Sequence, residues 1–145
     1  MKITVINGPN INLTGIREKQ IYGTGSYDDL CEGIMRRASD HAMECEVFQS
    51  NHEGDIIDRI QKCLGEDTAI IINAGGYSHT SVAILDALRA VEVPCVEVHM
   101  SDISSREEFR RFTYTSLACE KTFMGEGFES YMKAVDYISE KYNGK

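Results

Sequence analysis

The sequence predicts an α/β fold: a three-layer sandwich in which a five-stranded parallel sheet has helices on both faces. Short apolar segments alternate with longer segments of helical periodicity along the 145 residues. This alternation is typical of βαβ units joined by right-handed crossovers. The apolar runs AIII (69–72) and VEV (96–98) fit strands that are buried on both sides. Eight βα units do not fit in this length, which excludes a TIM barrel.

Five segments are predicted to be strands, because each is short, apolar and bounded by turn or helix signals. Valine, isoleucine and phenylalanine, which favour strands, recur in them. They are KITVI (2–6), ECEVFQ (44–49), TAIIIN (68–73), PCVEVHM (94–100) and CEKTFMG (119–125).

Four segments between and after these strands have helical spacing. Ser26 is a candidate N-cap with acidic residues behind it, Gly65 a candidate C-terminal glycine, and Pro94 limits the third segment. SREEFRRF (105–112) predicts a short basic helical turn. The helices are expected over 26–42, 53–65, 78–93 and 128–142. Together these elements predict a doubly wound, flavodoxin-like single domain spanning residues 1–145.

Charge and composition limit the classes of partner. The formal net charge is −8, which argues against nucleic acid or an anionic membrane as the main partner, although a small anion can still bind in a local basic pocket. The N-terminus lacks a secretory apolar region and no segment approaches the length of a membrane span. The five cysteines form no CxxC pair and are expected to be reduced packing residues. These features predict a cytoplasmic protein.

The segments that follow the strands predict where a ligand binds. In doubly wound sheets, ligands bind outside the carboxyl ends of the strands. Here those ends lead into a long polar loop (7–26), SNHEG (50–54), NAGGYSHTS (73–81) and HMSDISSREEFRR (99–111). Gly75 and Gly76 let the backbone approach a ligand, and the following helix start favours anions, although a simple capped turn has the same sequence.

His99 is a candidate acid or base at the end of the fourth strand, because histidine titrates near neutral pH. Glu97 lies on the same face by strand alternation and can orient the ring. The alternative is a buried histidine with no chemical role. Arg106 and Arg110 are four residues apart, as expected for a clamp on a carboxylate or hydroxyl, or for a solvated face.

Arg17 and Tyr22 form the most distinctive pair in the first loop. A tyrosine with a pKa of about 10 is a poor base at neutral pH, but a nearby guanidinium favours the phenolate. The alternative is a surface tyrosine near an unrelated arginine. No metal-ligand spacing, dinucleotide fingerprint or Walker motif is present, so no metal and no cofactor are expected.

Four stretches, taken together, resemble the type II 3-dehydroquinate dehydratases: INGPNINLTGIRE with IYG, QSNHEGDIID, IINAGGYSHTSVAILDAL, and VEVHMSDISSREEFR with FTYTS. They occur in order and cover most of the chain. The resemblance implies a flavodoxin-like fold and the reversible, metal-free dehydration of anionic 3-dehydroquinate to 3-dehydroshikimate in the shikimate pathway. It also implies a homododecamer built as a tetramer of trimers.

The resemblance further implies roles for matching residues. Tyr22 is expected to be the base that removes a proton next to the ketone, with Arg17 holding it as phenolate. His99 is expected to protonate the departing hydroxyl, with Glu97 behind it. Asn10 and Asn73 are expected to hold a water that stabilises the enolate. Met100 and Ser101 are expected to bind the substrate carboxylate, and His79 and Arg110 the ring hydroxyls. Asp86 is expected to reach a neighbouring subunit's site, and Arg106 to join the salt-bridge framework.

The chain departs from the family pattern at three places. In the first loop, Lys19 replaces a common proline. We interpret this loop as a rigid floor (7–12) followed by a hinged lid (15–23). Ser104-Ser105 replace a common His-Ala. Asp102 stands where asparagine is usual, and weaker substrate binding is expected if its side chain points inward. A flavodoxin-like module that binds a small ligand without turnover, and an inactive homologue, are the competing interpretations.

Overall fold

The computed structural model describes residues 1–17, 20 and 25–144. Five strands lie within these residues, and each coincides with a predicted strand to within two residues at either end. Their bounds are β1 Lys2–Asn7, β2 Glu44–Gln49, β3 Thr68–Asn73, β4 Cys95–His99 and β5 Lys121–Met124.

The α-helices whose bounds lie within the described residues are α1 Tyr27–Asp40, α2 Glu53–Gln61, α3 Val82–Val91 and α4 Phe128–Tyr142. Ser26 caps α1 as predicted, since its side chain accepts from the Asp29 backbone N–H. The Asp29 carboxylate in turn accepts from the Ser26 backbone N–H. The third helical segment, predicted from residue 78 with Ser78 or a nearby hydroxyl as its cap, becomes an α-helix only at Val82. Residues Gly75–His79 form a 3₁₀ turn, and Ser81 is the residue whose side chain caps the helix.

The strands form one parallel sheet in the order β2-β1-β3-β4-β5. This is the doubly wound order, so the predicted flavodoxin-like α/β fold is confirmed. The chain changes direction across the sheet between β1 and β3, where Asn7 and Asn73 are partners in register. A crevice outside the carboxyl ends of the strands is expected at this point.

Strand alternation divides the core into two layers. Ile3, Val5 and Ile71 face α1 and α4, whereas Ile6 and Ile70 face α2 and α3. Every residue of β3 and β4 is buried, as expected for strands covered on both faces. None of the helices in the described part of the chain has the length and apolarity that a membrane crossing needs.

Two glycines bring the loops after β1 and β3 into backbone contact. A Cβ on Gly8 would lie 2.3 Å from the Ala74 carbonyl oxygen, and one on Gly75 would lie 2.9 Å from the Pro9 oxygen. Gly75 also has a φ of +60°, which other residues rarely adopt. The glycines in NGPN and NAGG therefore allow the two loops to pack as one surface at the edge of the sheet.

An ion-pair cluster joins α1 to α4 on the face away from that edge. Arg37 donates two hydrogen bonds to Asp136, at 2.7 and 2.6 Å, and His41 Nε2 lies 2.8 Å from the same carboxylate. The hydrogen bonds from Arg37, opposed by partial burial and assisted by His41, lower the pKa of Asp136 to about 2. The ionised carboxylate therefore stabilises the folded chain.

We expect Asp136→Asn to lower the free energy of unfolding at pH 7 by about 1 kcal/mol, a value reduced for solvent screening of this half-exposed cluster. Because the pKa is depressed in the folded state, the contribution is complete above about pH 4 and is lost as the pH falls toward 2. Urea denaturation at pH 7 and pH 3 should show the deficit shrinking by roughly half. Asp58→Asn, at an exposed position of α2, is the matched control; an equal deficit in both variants would contradict the assignment.

Candidate active site

A cleft of about 160 Å³ lies outside the carboxyl ends of β1, β3 and β4. Asn73 and His99, the last residues of β3 and β4, lie at its base. The three segments that leave these strands form its walls, as expected at the crossover point of a doubly wound sheet. The cleft is thus built from the loops that the sequence marked as unusually polar.

Two histidines face each other in this cleft. His99 is 5% exposed, and its ring stacks on that of His79 with 6.2 Å between centroids. His79 Nδ1 is 2.9 Å from the Phe112 carbonyl oxygen, which makes Nδ1 the donor. Burial lowers the pKa of His79, with His99 and Arg110 acting in the same direction and the Phe112 bond opposing. His79 is therefore held neutral near pH 7 and can use Nε2 toward a ligand.

Glu97 lies directly behind His99, with its Oε1 3.4 Å from His99 Nε2. Its carboxylate is 1% exposed. The hydroxyls of Thr113 and Thr122 donate to Oε1 at 3.2 and 3.1 Å, and that of Thr115 donates to Oε2. Burial acts to raise the pKa of Glu97, but His99 and the threonine hydroxyls outweigh it and the pKa lies below its ordinary value.

An ionised Glu97 has two consequences for His99. It orients the ring, and it offsets the positive charge that the ring carries when it holds a proton. Among the described residues His99 Nε2 has no hydrogen bond of good geometry, although it is buried. Because Nε2 is the nitrogen that faces Glu97, the other ring nitrogen, Nδ1, is the one that can exchange a proton with a ligand bound in the cleft.

Asn10 and Arg17 are held on the β1 side of the cleft. The backbone N–H of Asn10 donates to Asn51 Oδ1 at 3.0 Å, and Arg17 Nε donates to the backbone carbonyl of Asn10 at 3.2 Å. Asn10 has a φ of 69°, the left-handed conformation that asparagine tolerates better than most residues. Both residues line the cleft. The floor predicted over residues 7–12 is thus an ordered turn with its own hydrogen bonds.

The segment after β4 supplies the opposite wall, to which Met100, Ser101, Arg106 and Arg110 all contribute. The two arginines line the cleft from separate short turns, not from one helix, so the predicted single helical turn was wrong in detail. Glu107 is the carboxylate that holds them: its Oε2 is 2.8 Å from Arg110 Nε and 3.9 Å from Arg106 Nε.

Asp102 does not add its charge to the cleft. Its Oδ1 accepts from the Ser104 amide at 3.0 Å and from the Ser104 hydroxyl at 2.5 Å. The side chain is exposed and caps the turn Ile103–Ser105. The condition for weaker substrate binding, an inward-pointing Asp102, is therefore not met, and two of the family departures form one local turn.

The structure brings most of the predicted site residues together. Those that line the cleft are Asn10, Arg17, Asn73, His79, His99, Met100, Ser101 and Arg110, with Arg106 beside them. Glu97 lies behind this lining. Asp86 is exposed on α3 and is not part of the lining. Tyr22 and Lys19, and with them most of the predicted lid, lie outside the described residues.

Sequence reasoning missed the groups that support this lining. FTYTS contains Thr113 and Thr115 two residues apart, just before and at the start of the 3₁₀ turn Thr115–Ala118, and both hydroxyls reach Glu97. Thr122 pairs with Glu97 in the register of β4 and β5. For Asn51, which accepts a hydrogen bond from the Asn10 backbone N–H, the only signal in the sequence was that its segment follows a strand at the edge of the sheet. Within the residues described, no group of three or more histidine, cysteine or acidic side chains is arranged to hold a metal ion.

Comparison with known proteins places this architecture in a family. Residues 1–139 match the family model described as Dehydroquinase class II. The chain is 53% identical over 146 residues to a 3-dehydroquinate dehydratase of Fusobacterium nucleatum, with 99% of each chain covered. It is 50% identical over 135 residues to one of Clostridium acetobutylicum, covering 93% of this chain and 94% of the other.

Solved structures agree. A type II dehydroquinase from Butyrivibrio crossotus is 46% identical, with a TM-score of 0.92 over 95% of this chain and 97% of the other. One from Propionibacterium acnes is 36% identical, with a TM-score of 0.93 over 97% of each chain. The family match spans residues 1–139, and the fold matches over nearly the whole chain. This chain therefore belongs to the class II dehydroquinase family.

Proposed function

We propose that this chain, as a single catalytic domain, dehydrates 3-dehydroquinate to 3-dehydroshikimate in the shikimate pathway. The observation that carries the proposal is the cleft at the end of β4, where buried His99 lies 3.4 Å from Glu97. Family membership supports the reaction, and the cleft supports the substrate class. Three arginines and two histidines line it, and no carboxylate is among its described lining residues. An acidic protein thus has a basic pocket that suits a small carboxylate.

The reaction needs a base, a stabilised enolate and an acid. The phenolate of Tyr22 takes the proton from the carbon next to the ketone, and the electron pair moves to the ketone oxygen. Asn10 and Asn73 hold a water that donates to this enolate oxygen. As the enolate collapses, the carbon–oxygen bond to the leaving hydroxyl breaks and His99 supplies its proton, so that water departs. The balance is the loss of one water from the substrate.

The cleft also supports roles in binding. Ser101 and the backbone at Met100 are placed to take the carboxylate, while His79 and Arg110 face the cleft as partners for ring hydroxyls. Because Nδ1 of His79 is engaged with Phe112, its Nε2 is the nitrogen that meets the ligand. These contacts hold the ring with its reacting carbon facing the acid and the base.

A turnover assay tests the function. Purified protein with 3-dehydroquinate should produce the ultraviolet absorbance of a conjugated enone, before and after treatment with EDTA or borohydride, because the proposed groups are side chains that form neither a metal complex nor an imine. No absorbance change at high protein concentration would refute the dehydratase. A yellow protein with bound flavin and no turnover would favour the small-ligand module instead.

We expect Glu97→Gln to lower kcat by about 10–100-fold while KM changes less than about threefold, because Glu97 acts through His99 and does not line the cleft. Thr115→Val, which removes one hydroxyl from the carboxylate, should give a smaller loss in the same direction. Steady-state kinetics of both variants measures the effect. Glu46→Gln, in an exposed ion pair with Arg59, is the control. Wild-type kcat in Glu97→Gln would contradict the role.

A homododecamer is the assembly we propose, with Asp86 reaching a neighbouring subunit. Two large apolar side chains remain exposed on or beside α3, which carries Asp86: Val82 is 49% and Leu117 52% exposed. Val82 lies one turn before Asp86 on the same face, and the turn Thr115–Ala118 packs against α3. Exposed apolar clusters of this kind mark interfaces. Light scattering measures the number of subunits in the assembly. The dodecamer and the cytoplasmic location stay predictions.

A further inference from the structure

The hydroxyl of Tyr131 links the ends of the two central strands from behind the cleft. Tyr131 lies on α4 and is 0% exposed. Its Oη donates to Asn7 Oδ1 at 2.7 Å and accepts from Asn73 Nδ2 at 2.8 Å. Asn7 and Asn73 are register partners at the ends of β1 and β3. Of these three residues, only Asn73 lines the cleft.

The direction of these bonds fixes how the Asn73 amide is turned. A phenol has one proton to donate, and Asn7 receives it because its own Nδ2 is directed to Tyr27 Oη at 3.4 Å. Tyr131 can therefore only accept from Asn73, which places Nδ2 toward α4. Asn73 Oδ1 in turn accepts from the Gly75 amide at 3.2 Å. Each end of the Asn73 amide thus has one partner inside the protein.

The hydroxyl of Tyr131 stays protonated at neutral pH. Burial, opposed by the Asn73 bond, raises the pKa of Tyr131 above its usual range. The hydroxyl therefore stays neutral and continues to donate to Asn7. With respect to the described residues, Asn73 keeps one free N–H and one free lone pair for a water or ligand in the cleft, in a fixed arrangement.

We propose that Tyr131, together with Asn7, is a positioning residue for catalysis that sets the orientation of the Asn73 amide. The inference rests on the proposed function, in which Asn73 supports the water that donates to the enolate oxygen. Without the hydroxyl, only the longer Gly75 bond is left to orient the amide, and a turned amide presents an oxygen where a donor is needed. The cost falls on the enolate and its transition states, not on the bound ground state.

A purely structural role predicts a different result, and the chain offers a matched control. Thr4 and Thr68 lie near the other end of the same two strands, both buried, with their hydroxyl oxygens 2.9 Å apart. Thr4→Val removes one buried side-chain hydrogen bond between the central strands, and Tyr131→Phe removes two buried bonds to the same strands. Both variants should lower the urea midpoint, but only Tyr131→Phe should slow the reaction.

Steady-state kinetics tests the positioning role. Tyr131→Phe is expected to lower kcat by about 10–100-fold with KM changed less than about threefold, the pattern of a misplaced donor. In a chain that already carries Asn73→Ala, adding Tyr131→Phe should give no further loss, because Tyr131 acts through Asn73. Equal kcat in wild type and Tyr131→Phe, or a full additional loss in the double variant, would overturn the inference.

Neutron diffraction gives a readout that does not depend on turnover. It distinguishes the amide oxygen of Asn73 from its nitrogen, which carries two deuterons. The wild type should show the nitrogen facing Tyr131, and Tyr131→Phe should show a turned or mixed amide. An unchanged single orientation in the variant overturns the positioning role. A wild type without turnover refutes the dehydratase alone, since the amide orientation still decides the structural claim.

Discussion

Replacing His99 by glutamine is expected to lower kcat by about 10²–10⁴-fold and to leave KM within about threefold, because a positioned acid contributes to the transition state and little to binding. Glutamine can occupy the end of β4 and form a hydrogen bond, but it cannot give a proton to the leaving hydroxyl. The ring is almost fully buried and lies 3.4 Å from Glu97, so no other described side chain replaces it in the same position.

Deuterium exchange separates the role of His99 from that of the base. In deuterated buffer, the proton next to the ketone is removed before the hydroxyl leaves, so a protein that lacks only the acid can still form the enolate and return a deuteron to it. His99→Gln should therefore incorporate deuterium into unreacted substrate while product formation is almost lost. His52→Gln, at an exposed position before α2, is the control and should behave as wild type. Loss of both exchange and elimination in His99→Gln would contradict its assignment as the acid.

The predictable part of this structure is the part that depends on local patterns. Strand and helix periodicity gave the order of elements, and the rule for parallel sheets put the polar loops at one edge. His99 and Glu97 could be placed on one face because alternation along a strand has a fixed period of two. The N-cap at Ser26 was likewise predicted, and the structure adds the return bond from Asp29 that completes a capping box.

The missed part depends on contacts between distant residues. Tyr131 lies 124 positions from Asn7 and 58 from Asn73, and on α4 it reads as one more residue of the apolar face. The choice of Ser81 over Ser78 as the cap of α3 has a related cause. Gly75 must approach Pro9 in another loop with a φ of +60°, so the residues after it form a 3₁₀ turn before Ser81 caps the helix.

Asp102 shows that a change of residue type does not by itself reveal whether its charge enters the cleft. An acidic residue in place of asparagine suggested charge in the carboxylate pocket. Asparagine and aspartate both cap turns through a side-chain oxygen, and Asp102 does so with Ser104. The substitution therefore keeps the cap of the turn Ile103–Ser105, and Asp102 does not join the described lining of the cleft.

Replacing Tyr22 by phenylalanine is expected to lower kcat by about 10³-fold or more, because it removes the proposed base while keeping the ring. A tyrosine with a pKa of about 10 needs a nearby cation to act as phenolate at neutral pH. Arg17 lines the cleft five positions earlier in the chain, with its Nε donating to the Asn10 carbonyl at 3.2 Å. Tyr22 itself lies outside the described residues, so its role depends on Arg17, the family and this test.

The Tyr22→Phe result should differ in kind from that of His99→Gln. Without the base no enolate forms, so deuterium incorporation and product formation should be lost together. Calorimetry with a quinate-like carboxylate should still give a dissociation constant within about threefold of wild type, because the binding groups are unchanged. Tyr142→Phe, which removes a hydroxyl that donates to Glu120 at 2.7 Å near the end of α4, is the control. If Tyr22→Phe retained deuterium exchange, the base would have to be another residue and Tyr22 would be confined to binding or to closing the cleft.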